Sequence, residues 1–445
     1  MARTTRRKFL QVTAAAGVGY WVAGGISPKR SLAANETINF ACVGVGGRGR
    51  ANSGDSARHG NIVAMCDVDQ GTLQKMSEAR GFEKAKKYAD YRTMLEEAND
   101  FDAIVISTPD HTHAAPALQA MKMGKHCFVE KPLTHTIYEA RLLGEVAREM
   151  EVATMMGNQG TALPGLRQSA AFVQAGGLGD IKEVHVWTNR PVWPQGLDRP
   201  DHSDPVPETL DWDAWLGPAP ERPYVHNIYH PFRWRGWWDF GTGALGDMAC
   251  HTMNMPFIAC DLLNPTSVVA ITSGHNEETF PAWSEITYQF PATDKRSAVP
   301  MVWYDGGRRP PEKLIEGSRH AFATSGAIIV GEKGTIYAPG DHANNPELIG
   351  SESFPDAEFE RSPGHFDEWV RAIRGGQGAK SNFPDAAGPL TEVVLLGNLA
   401  VWAAPEADTE GKKIEWDAQE LEATNAPEVM HIVNKDYREG WGLEA

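Results

Sequence analysis

The chain has 445 residues, which predicts two or three domains rather than one small core. Hydrophobic residues make up 42% and charged residues 22%, and these ordinary values exclude disordered, collagen-like and coiled-coil proteins. With 42 Lys and Arg against 58 Asp and Glu, the net charge of −16 excludes nucleic acid and anionic membrane surfaces as partners. No apolar run reaches the roughly 18 residues that a membrane-spanning helix needs, so no membrane span is expected.

Residues 1–34 have the parts of an export signal. Arg6 and Arg7 precede a segment rich in Ala and Gly, and small residues end it at Ala34. This pattern predicts a twin-arginine signal peptide and a location in the periplasm or an equivalent extracytoplasmic space. A disordered basic arm is the alternative. Because the twin-arginine route carries folded proteins, we expect the mature protein to bring a cofactor from the cytoplasm.

Residues 35–158 alternate strand and helix patterns. Apolar runs predict strands at 38–43, 61–66, 101–107, 126–129 and 152–156, and helical spacing predicts helices at 50–59, 72–80, 114–123 and 137–150. This alternation indicates βαβ units around a parallel sheet, whose strands are continuously apolar because both faces are buried. The five cysteines are scattered, three of them within apolar runs, so we expect small core residues rather than a disulfide framework.

The first turn carries a dinucleotide-binding pattern. Between a strand and a helix lies a G-x-G-x-x-G sequence, formed by Gly44, Val45, Gly46, Gly47, Arg48 and Gly49. The glycines allow a tight turn and let a pyrophosphate approach the amides at the helix N-terminus. Asp67 ends the second strand, where a carboxylate binds the ribose hydroxyls and repels a 2′-phosphate. NAD is therefore favoured; NADP stays open because Arg48 lies in the loop, and a glycine turn without a ligand is the alternative.

Further polar residues lie at the carboxyl ends of the later strands, the edge at which ligands bind in open α/β sheets. The predicted cofactor site also includes Thr108, Pro109, His113, Glu130, Lys131 and Asn158. Lys131 lies in a Glu-Lys-Pro sequence, where its amine is expected to hydrogen-bond a substrate oxygen; a surface lysine is the alternative. His111 and His113 are two residues apart and do not share a helix face, so we predict no metal site there.

Together these motifs resemble the Gfo/Idh/MocA family, named after glucose–fructose oxidoreductase, inositol dehydrogenase and a rhizopine-catabolism protein. The resemblance rests on the glycine turn, the acid after the second strand, Thr-Pro, Glu-Lys-Pro and Gly157-Asn158, and it covers residues 36–260. It implies an α/β fold with an N-terminal Rossmann NAD-binding domain. A substrate-binding α/β domain with an open, mainly antiparallel sheet would follow in residues 159–445. The resemblance also implies that Lys131 contacts both the cofactor and the reacting oxygen.

The pattern of the second half agrees with this implied fold. Strand-like runs at 181–190, 267–274, 285–290, 298–304 and 327–330 lack interleaved helices. An open sheet leaves one face exposed, which predicts a homo-oligomer, a dimer or tetramer, formed through that sheet. Two late helices, at 365–373 and 390–402, are expected to dock on this second domain.

Residues 242–262 are predicted to form a helix that carries acid–base chemistry. Asp247 and His251 are four residues apart and therefore lie on one helix face. A carboxylate beside an imidazole raises its pKa and orients it, and such an imidazole suits proton abstraction from an alcohol. The resembled family carries Asp and His at this spacing, so we assign His251 as general base and Asp247 as orienter or hydroxyl acceptor. A structural Asp–His pair and a metal site without an evident third ligand are the alternatives.

Seven of the 14 tryptophans fall between residues 187 and 238, in a stretch rich in Pro, Asp, His and Arg. Core packing is the usual explanation for such residues. This composition instead favours a long functional loop that stacks indole rings on a sugar. The predicted substrate surface includes Arg235, Trp237 and Trp238, together with Asp247 and His251.

The sequence thus predicts an exported NAD-dependent oxidoreductase that acts on a sugar, cyclitol or glycoside. His251 would remove the hydroxyl proton, and Lys131 would stabilise the charge on the oxygen. One alternative is a redox-assisted glycosidase or lyase that retains and recycles its NAD. The other is a non-catalytic sugar-binding protein, against which the combination of Lys131, Asp247 and His251 argues.

Overall fold

The computed structural model describes residue 32 and residues 36–443. The predicted signal peptide therefore lies outside the described residues, apart from Leu32. Within the described part of the chain, no helix is both long and apolar enough to cross a bilayer.

The first half of the chain folds around a parallel sheet. Its six strands are β1 (Ile38–Val43), β2 (Gly60–Cys66), β3 (Lys86–Tyr88), β4 (Ala103–Ile106), β5 (His126–Val129) and β6 (Thr154–Met156). Its helices are α1 (Gly47–His59), α2 (Gln70–Ser77), α3 (Tyr91–Glu97), α4 (Ala114–Lys122) and α5 (Ile137–Glu149). The strand order β3-β2-β1-β4-β5-β6 is that of a Rossmann fold. Because the order reverses between β1 and β4, a ligand crevice forms at the carboxyl ends of these two strands.

Two elements of this sheet have no predicted counterpart. Strand β3 has only three residues, and Lys86 and Lys87 are exposed, so it lacks an apolar pattern. Helix α3 begins because the carboxylate of Asp90 accepts a hydrogen bond from the Arg92 amide at 2.8 Å. Such short elements depend on the neighbouring strand and on the cap rather than on hydrophobic periodicity.

A second, mixed sheet follows. Its nine strands are β7 (Ile181–Trp187), β8 (Ser267–Thr272), β9 (Ser284–Phe290), β10 (Val299–Tyr304), β11 (Gly326–Gly331), β12 (Gly334–Pro339), β13 (Glu347–Leu348), β14 (Ile414–Asp417) and β15 (Glu422–Ala423). They lie in the order β13-β12-β11-β7-β10-β9-β8-β14-β15, in which only the β7–β10 pair is parallel. The remaining helices are α6 (Pro164–Gln174), α7 (Trp212–Leu216), α8 (Gly243–Thr252), α9 (Asn254–Ala259), α10 (His365–Ile373), α11 (Gly388–Trp402) and α12 (Met430–Val433). The predicted fold class, a Rossmann domain followed by an α/β domain with a mainly antiparallel sheet, is confirmed.

The helix predicted over 242–262 is divided in two. Helix α8 ends at Thr252, and α9 starts at Asn254. Pro256 lies four residues after Thr252; a proline there has no N–H for the intrahelical bond, and its ring clashes with the Thr252 carbonyl. Asp247 and His251 both lie before this break, so their shared face is retained.

Helix α10 packs against the first sheet, and its predicted docking on the second domain is wrong. The Trp369 ring lies 5.9 Å from that of Phe40 and 5.8 Å from that of Phe128, and its indole N–H donates to the Ala153 carbonyl at 3.0 Å. An open α/β sheet needs helices on both faces, and α10 supplies one that the first half of the chain lacks. Helix α11 also reaches the first domain, because Glu392 accepts two hydrogen bonds from Arg141 of α5, at 2.8 and 2.6 Å.

Candidate active site

The glycine turn between β1 and α1 fits a pyrophosphate. Gly44 has φ +73°, and a Cβ at this position would lie 2.8 Å from the Ser107 carbonyl group. A Cβ at Gly49 would lie only 1.8 Å from the Gly44 oxygen, whereas one at Gly47 would meet nothing within 4 Å. Helix α1 begins here with Gly46 as N-cap and without a side-chain cap. Its first amides therefore face the crevice with no bulk above them, as the phosphates of a dinucleotide require.

Asp67 lies at the carboxyl end of β2, directly beside this turn. Its carboxylate accepts the Val45 amide at 2.9 Å and the Asp69 amide at 3.0 Å. Burial raises the pKa of Asp67, and the backbone hydrogen bonds oppose that rise. The two amides orient the carboxylate at the predicted ribose position.

Arg48 does not face that position. Its Nε donates to Glu130 at 3.0 Å, at the far side of the crevice, and Asn52 donates to the same carboxylate oxygen at 2.9 Å. Arg48 is thus engaged in bracing the end of β5, which weakens the sequence argument for a 2′-phosphate. Glu130 also stabilises this turn, because its other carboxylate oxygen accepts a hydrogen bond from the Lys131 amide at 3.2 Å.

His113 has both ring nitrogens occupied by main-chain carbonyls, so neither is free for the predicted contact with the cofactor. Nδ1 lies 2.9 Å from the Pro132 carbonyl, and Nε2 lies 2.8 Å from the Thr108 carbonyl. His113 therefore joins the turn after β4 to the turn that carries Lys131. Thr108, Pro109 and Asn158 do lie at the carboxyl ends of β4 and β6, and the side-chain oxygens of Thr108 and Asn158 are buried without a partner in the described structure.

Lys131 and Asp247 meet across the two domains. The Lys131 Nζ donates to the Asp247 carboxylate at 2.7 Å and to its main-chain carbonyl at 2.7 Å. Arg235 donates from Nε to the same carboxylate oxygen at 2.9 Å, and Arg190 Nε lies 3.8 Å from the other oxygen. Burial alone would raise the pKa of Asp247, but Lys131 and Arg235 outweigh burial and hold that pKa far below its ordinary value. Asp247 is therefore an ionised carboxylate that fixes the lysine.

His251 lies one turn further along α8, buried and without a hydrogen bond to Asp247 in the described structure. Its Nδ1 is buried and has no partner there. Burial first, and then the charge of Lys131 and the neighbouring His342, lower the pKa of His251 well below its ordinary value. Asp247 does raise this pKa, as predicted, but burial, Lys131 and His342 outweigh it, so the net shift is downward. A neutral imidazole with an unoccupied nitrogen remains able to accept a proton.

The sequence did not indicate His342, which follows β12 and packs edge-on against His251. The two ring centroids are 4.7 Å apart, with planes at 90°. The His342 Nδ1 is likewise buried and without a partner in the described structure, and burial lowers its pKa. No local signal marks this residue, because it lies in an irregular turn 91 positions from His251. Among the described residues, no group of three His, Cys, Asp or Glu could hold a metal ion here or elsewhere.

The predicted sugar-stacking role of Trp237 is wrong, whereas that of Trp238, which is only partly buried, stays a prediction. Trp237 is 1% exposed and packs edge-on against Tyr229 at 4.9 Å. Trp238 stacks on Phe280 at 3.7 Å and meets Trp402 at 5.0 Å. Trp237 belongs to a separate core rich in aromatic residues, which consists of Leu210, Trp215, Leu216, Ala219, Tyr224, Val225, Tyr229, Trp234, Trp237 and Phe240. Local composition suggested a polar loop, but the aromatic rings are spaced so that they bury one another.

This aromatic segment also touches the cofactor domain. The Asp211 amide donates to the Val68 carbonyl at 2.9 Å, and the Gln70 amide donates to the Thr209 carbonyl at 2.8 Å. The segment thus covers the carboxyl end of β2, next to Asp67. All five cysteines are buried and unpaired, as the sequence predicted, and burial raises the pKa of Cys250 beside the site to about 12.

Comparison with protein families identifies the chain. Residues 38–158 match the oxidoreductase family, NAD-binding Rossmann fold, and residues 186–443 match the C-terminal alpha/beta domain of the same family. The chain belongs to the Gfo/Idh/MocA oxidoreductase family. Membership confirms the predicted resemblance and the prediction of NAD as cofactor.

Individual members of the Gfo/Idh/MocA family differ in what they do. A glycosyl hydrolase family 109 protein of Solibacter usitatus is 33% identical over 156 residues, 31% of this chain and 35% of that protein. A levoglucosan dehydrogenase of Pseudarthrobacter phenanthrenivorans is 25% identical over 178 residues, 40% of this chain and 37% of that protein. The chain therefore matches only about a third of the length of these curated relatives. The WlbA dehydrogenase of Bordetella pertussis, solved with NADH and UDP-GlcNAcA, shares the fold with a TM-score of 0.60 and 18% identity, over 86% of this chain and 99% of that one.

Proposed function

We propose that the protein is an NAD-dependent dehydrogenase that oxidises a ring hydroxyl, or reduces the corresponding ketone, of a sugar, cyclitol or glycoside. The observation that carries this proposal is the arrangement of Lys131, Asp247 and His251. A neutral imidazole and an ammonium group held by an ionised carboxylate lie together at the edge of the sheet whose glycine turn fits a dinucleotide. Alcohol oxidation needs a proton acceptor and a positive charge at the same oxygen, and these residues supply both.

The protein groups have separate parts in this reaction. NAD, when bound, supplies the hydride acceptor. His251 accepts the hydroxyl proton, and its burial keeps the imidazole neutral and ready to do so. Lys131 stabilises the negative charge that develops on the oxygen, and its two hydrogen bonds to Asp247 hold the amine in place. The burial of the three side chains lowers the local dielectric and strengthens these interactions.

The test is stoichiometry on a panel of sugars, cyclitols and glycosides. Purified protein with excess NAD should form one NADH for each ketone produced, followed at the NADH absorbance band. Binding of a sugar with neither NADH formation nor any product would instead support the non-catalytic sugar-binding protein.

A redox-assisted glycosidase or lyase is the second candidate, and two observations favour it. The relative from Solibacter usitatus bears the name of a glycosyl hydrolase family, and His342 places a second imidazole beside His251. Transient oxidation of a ring hydroxyl acidifies the neighbouring C–H, loss of that proton expels the aglycone, and addition of water and re-reduction complete the cycle. That sequence needs a second acid–base group, whereas simple oxidation needs one.

The two candidates make opposite predictions for one assay. Under the second candidate, a glycoside is consumed over many turnovers without net NADH, and the C–H next to the transient ketone exchanges with solvent deuterium. Steady NADH accumulation without exchange or bond cleavage would eliminate it.

We also propose export through the twin-arginine route and a homo-oligomer. The paired arginines and the following small residues of the first 34 positions support export, with a periplasmic or equivalent location. The mainly antiparallel nine-stranded sheet supports an oligomer, because outward-facing positions such as Thr287 and Val302 are only partly buried within one chain. Fractionation of the expressing cells tests the first proposal, and light scattering of the purified protein tests the second.

A further inference from the structure

The substrate side of the site carries more positive charge than Asp247 can neutralise. Lys131, Arg235 and Arg190 approach this one carboxylate at 2.7, 2.9 and 3.8 Å. These side chains are 12%, 18% and 26% exposed, so they line the site rather than the open surface.

The other charged groups nearby do not remove this excess. Glu130 already pairs with Arg48, whose Nε lies 3.0 Å from a Glu130 carboxylate oxygen. Asp110 is buried, and its carboxyl group accepts the Thr242 hydroxyl at 2.6 Å; burial raises its pKa, while the charges of Arg235 and Lys131 oppose that rise, so Asp110 offsets at most one of the three positive charges. The imidazoles of His251 and His342 are neutral, since burial lowers both pKa values. Even with both Asp247 and Asp110 ionised, the three cations exceed the two carboxylates by one charge, which an anion from the substrate would balance.

Arg235 is prepared to bind such an anion. Only its Nε is used by Asp247, and within residues 36–443 its two terminal nitrogens have no hydrogen-bond partner. The guanidinium packs against two rings, at 4.2 Å from the Trp234 centroid and 5.1 Å from the Phe232 centroid. A guanidinium held in this way presents two parallel donors, which match the two oxygens of a carboxylate.

An apolar surface adjoins this arginine. Phe232 is 49% exposed and Val192 is 64% exposed, two of only five large hydrophobic side chains exposed in the described part of the chain. The buried ring of Trp193 supports Phe232 edge-on at 6.0 Å. Because the Phe232 ring lies 5.1 Å from the Arg235 guanidinium, its exposed face can pack against the C–H face of a second sugar ring.

We propose that the substrate is an acidic sugar: a glycoside whose reacting ring bears a carboxylate, bound by Arg235 and Arg190, with the adjoining residue on Phe232. The inference rests on the proposed function and specifies its substrate class.

The experiment compares sugars that differ only at the carboxylate. Methyl glucuronide is paired with methyl glucoside, and methyl galacturonide with methyl galactoside; the uronide methyl esters and the 6-sulfated glycosides serve as further arms. Binding to the full protein with NADH is measured by calorimetry, and NADH formation is measured separately. At least one uronide should bind about 10- to 100-fold more tightly than its neutral partner and its ester, as expected for a charge-assisted bidentate pair.

Variants then assign the effect to a residue. R235Q should reduce the preference to about threefold or less, whereas R233Q, on the same turn but exposed to solvent, should leave it unchanged. If R235Q does not melt like the wild type, R190Q takes its place. Equal binding of acid and neutral sugars overturns the inference, as does equal loss in R233Q, or a 6-sulfate that binds as tightly as the uronide. Because calorimetry needs no turnover, an absence of NADH with every sugar refutes the proposed function while the binding data still decide the substrate class.

Discussion

Gly49→Ala tests the geometry of the glycine turn most directly. The added Cβ would lie 1.8 Å from the Gly44 carbonyl oxygen, whereas such contacts essentially never fall below 3.0 Å. The first turn of α1 and the end of β1 must therefore separate by roughly 1.2 Å, and both are backbone that no side-chain rotation can relieve. Overpacking of this kind costs about 1–3 kcal/mol, and rigid surroundings place Gly49→Ala near 3 kcal/mol.

The same displacement moves the amides that face the phosphates. Losing one hydrogen bond between these amides and a phosphate costs about 1.5–3 kcal/mol, so we expect the affinity for NAD to fall about 10- to 150-fold. Gly54→Ala in the same helix is the matched control, because its Cβ would meet nothing within 4 Å. There, the better helix propensity of alanine should stabilise the protein by up to about 1 kcal/mol and leave NAD affinity unchanged.

Calorimetric titration with NAD and urea unfolding of both variants measure these two effects. The reasoning is refuted if Gly49→Ala binds NAD as tightly as the wild type, or if the two alanine variants shift stability in the same direction. A loss of stability in Gly49→Ala with full NAD affinity would show that the turn packs the helix but does not bind the cofactor.

Three further predictions concern single side chains. Asp67→Ala should weaken NAD more than NADP, because it removes the carboxylate at the ribose; titration with both dinucleotides checks this, and equal losses would contradict it. His251→Ala should lower turnover by about 10²–10⁴ while the melting temperature and NAD affinity stay at wild-type values. A variant that melts early without a selective loss of turnover would make His251 structural, and wild-type activity that chelators remove and a divalent ion restores would make it a metal ligand. Burial raises the pKa of Asp305 to about 6 although Ser284 and Trp303 donate to it, so the folded state binds its proton more tightly than the unfolded chain. The protonated Asp305 carboxyl therefore stabilises the fold fully below about pH 4, and this stabilisation is lost as pH rises through 6. Relative to Asp305→Asn, the free energy of unfolding of the wild type should fall by about 3 kcal/mol as pH rises. Stability curves of the two proteins that stay parallel across this pH range would exclude the assignment.

The N-terminal domain was predictable because its information is local. Parallel strands buried on both faces are continuously apolar, and the helices between them repeat every three to four residues, so β1, β5 and α5 appear directly in the sequence. The glycine turn is recognisable within six residues, since Gly44 and Gly47 adopt positive φ and Gly49 leaves no room for a side chain beside the Gly44 carbonyl. Strand β3 was missed because its exposed lysines give no hydrophobic pattern. The proline at position 256 did indicate the break between α8 and α9. The prediction of one helix over 242–262 instead followed the helical spacing of the apolar residues.

The sequence alone determined the cofactor turn, the order of elements and the common face of Asp247 and His251, because spacing along one strand or helix decides which way side chains point. Only the tertiary structure decided their partners. It placed Arg190, Arg235 and Lys131 on one carboxylate, brought His342 to His251, and buried Trp237 where a sugar surface was expected. Hydrophobic periodicity along the sequence specifies that a side chain is buried but not which residues cover it. Contacts between residues about a hundred positions apart depend instead on how the two sheets and the irregular aromatic segment pack together.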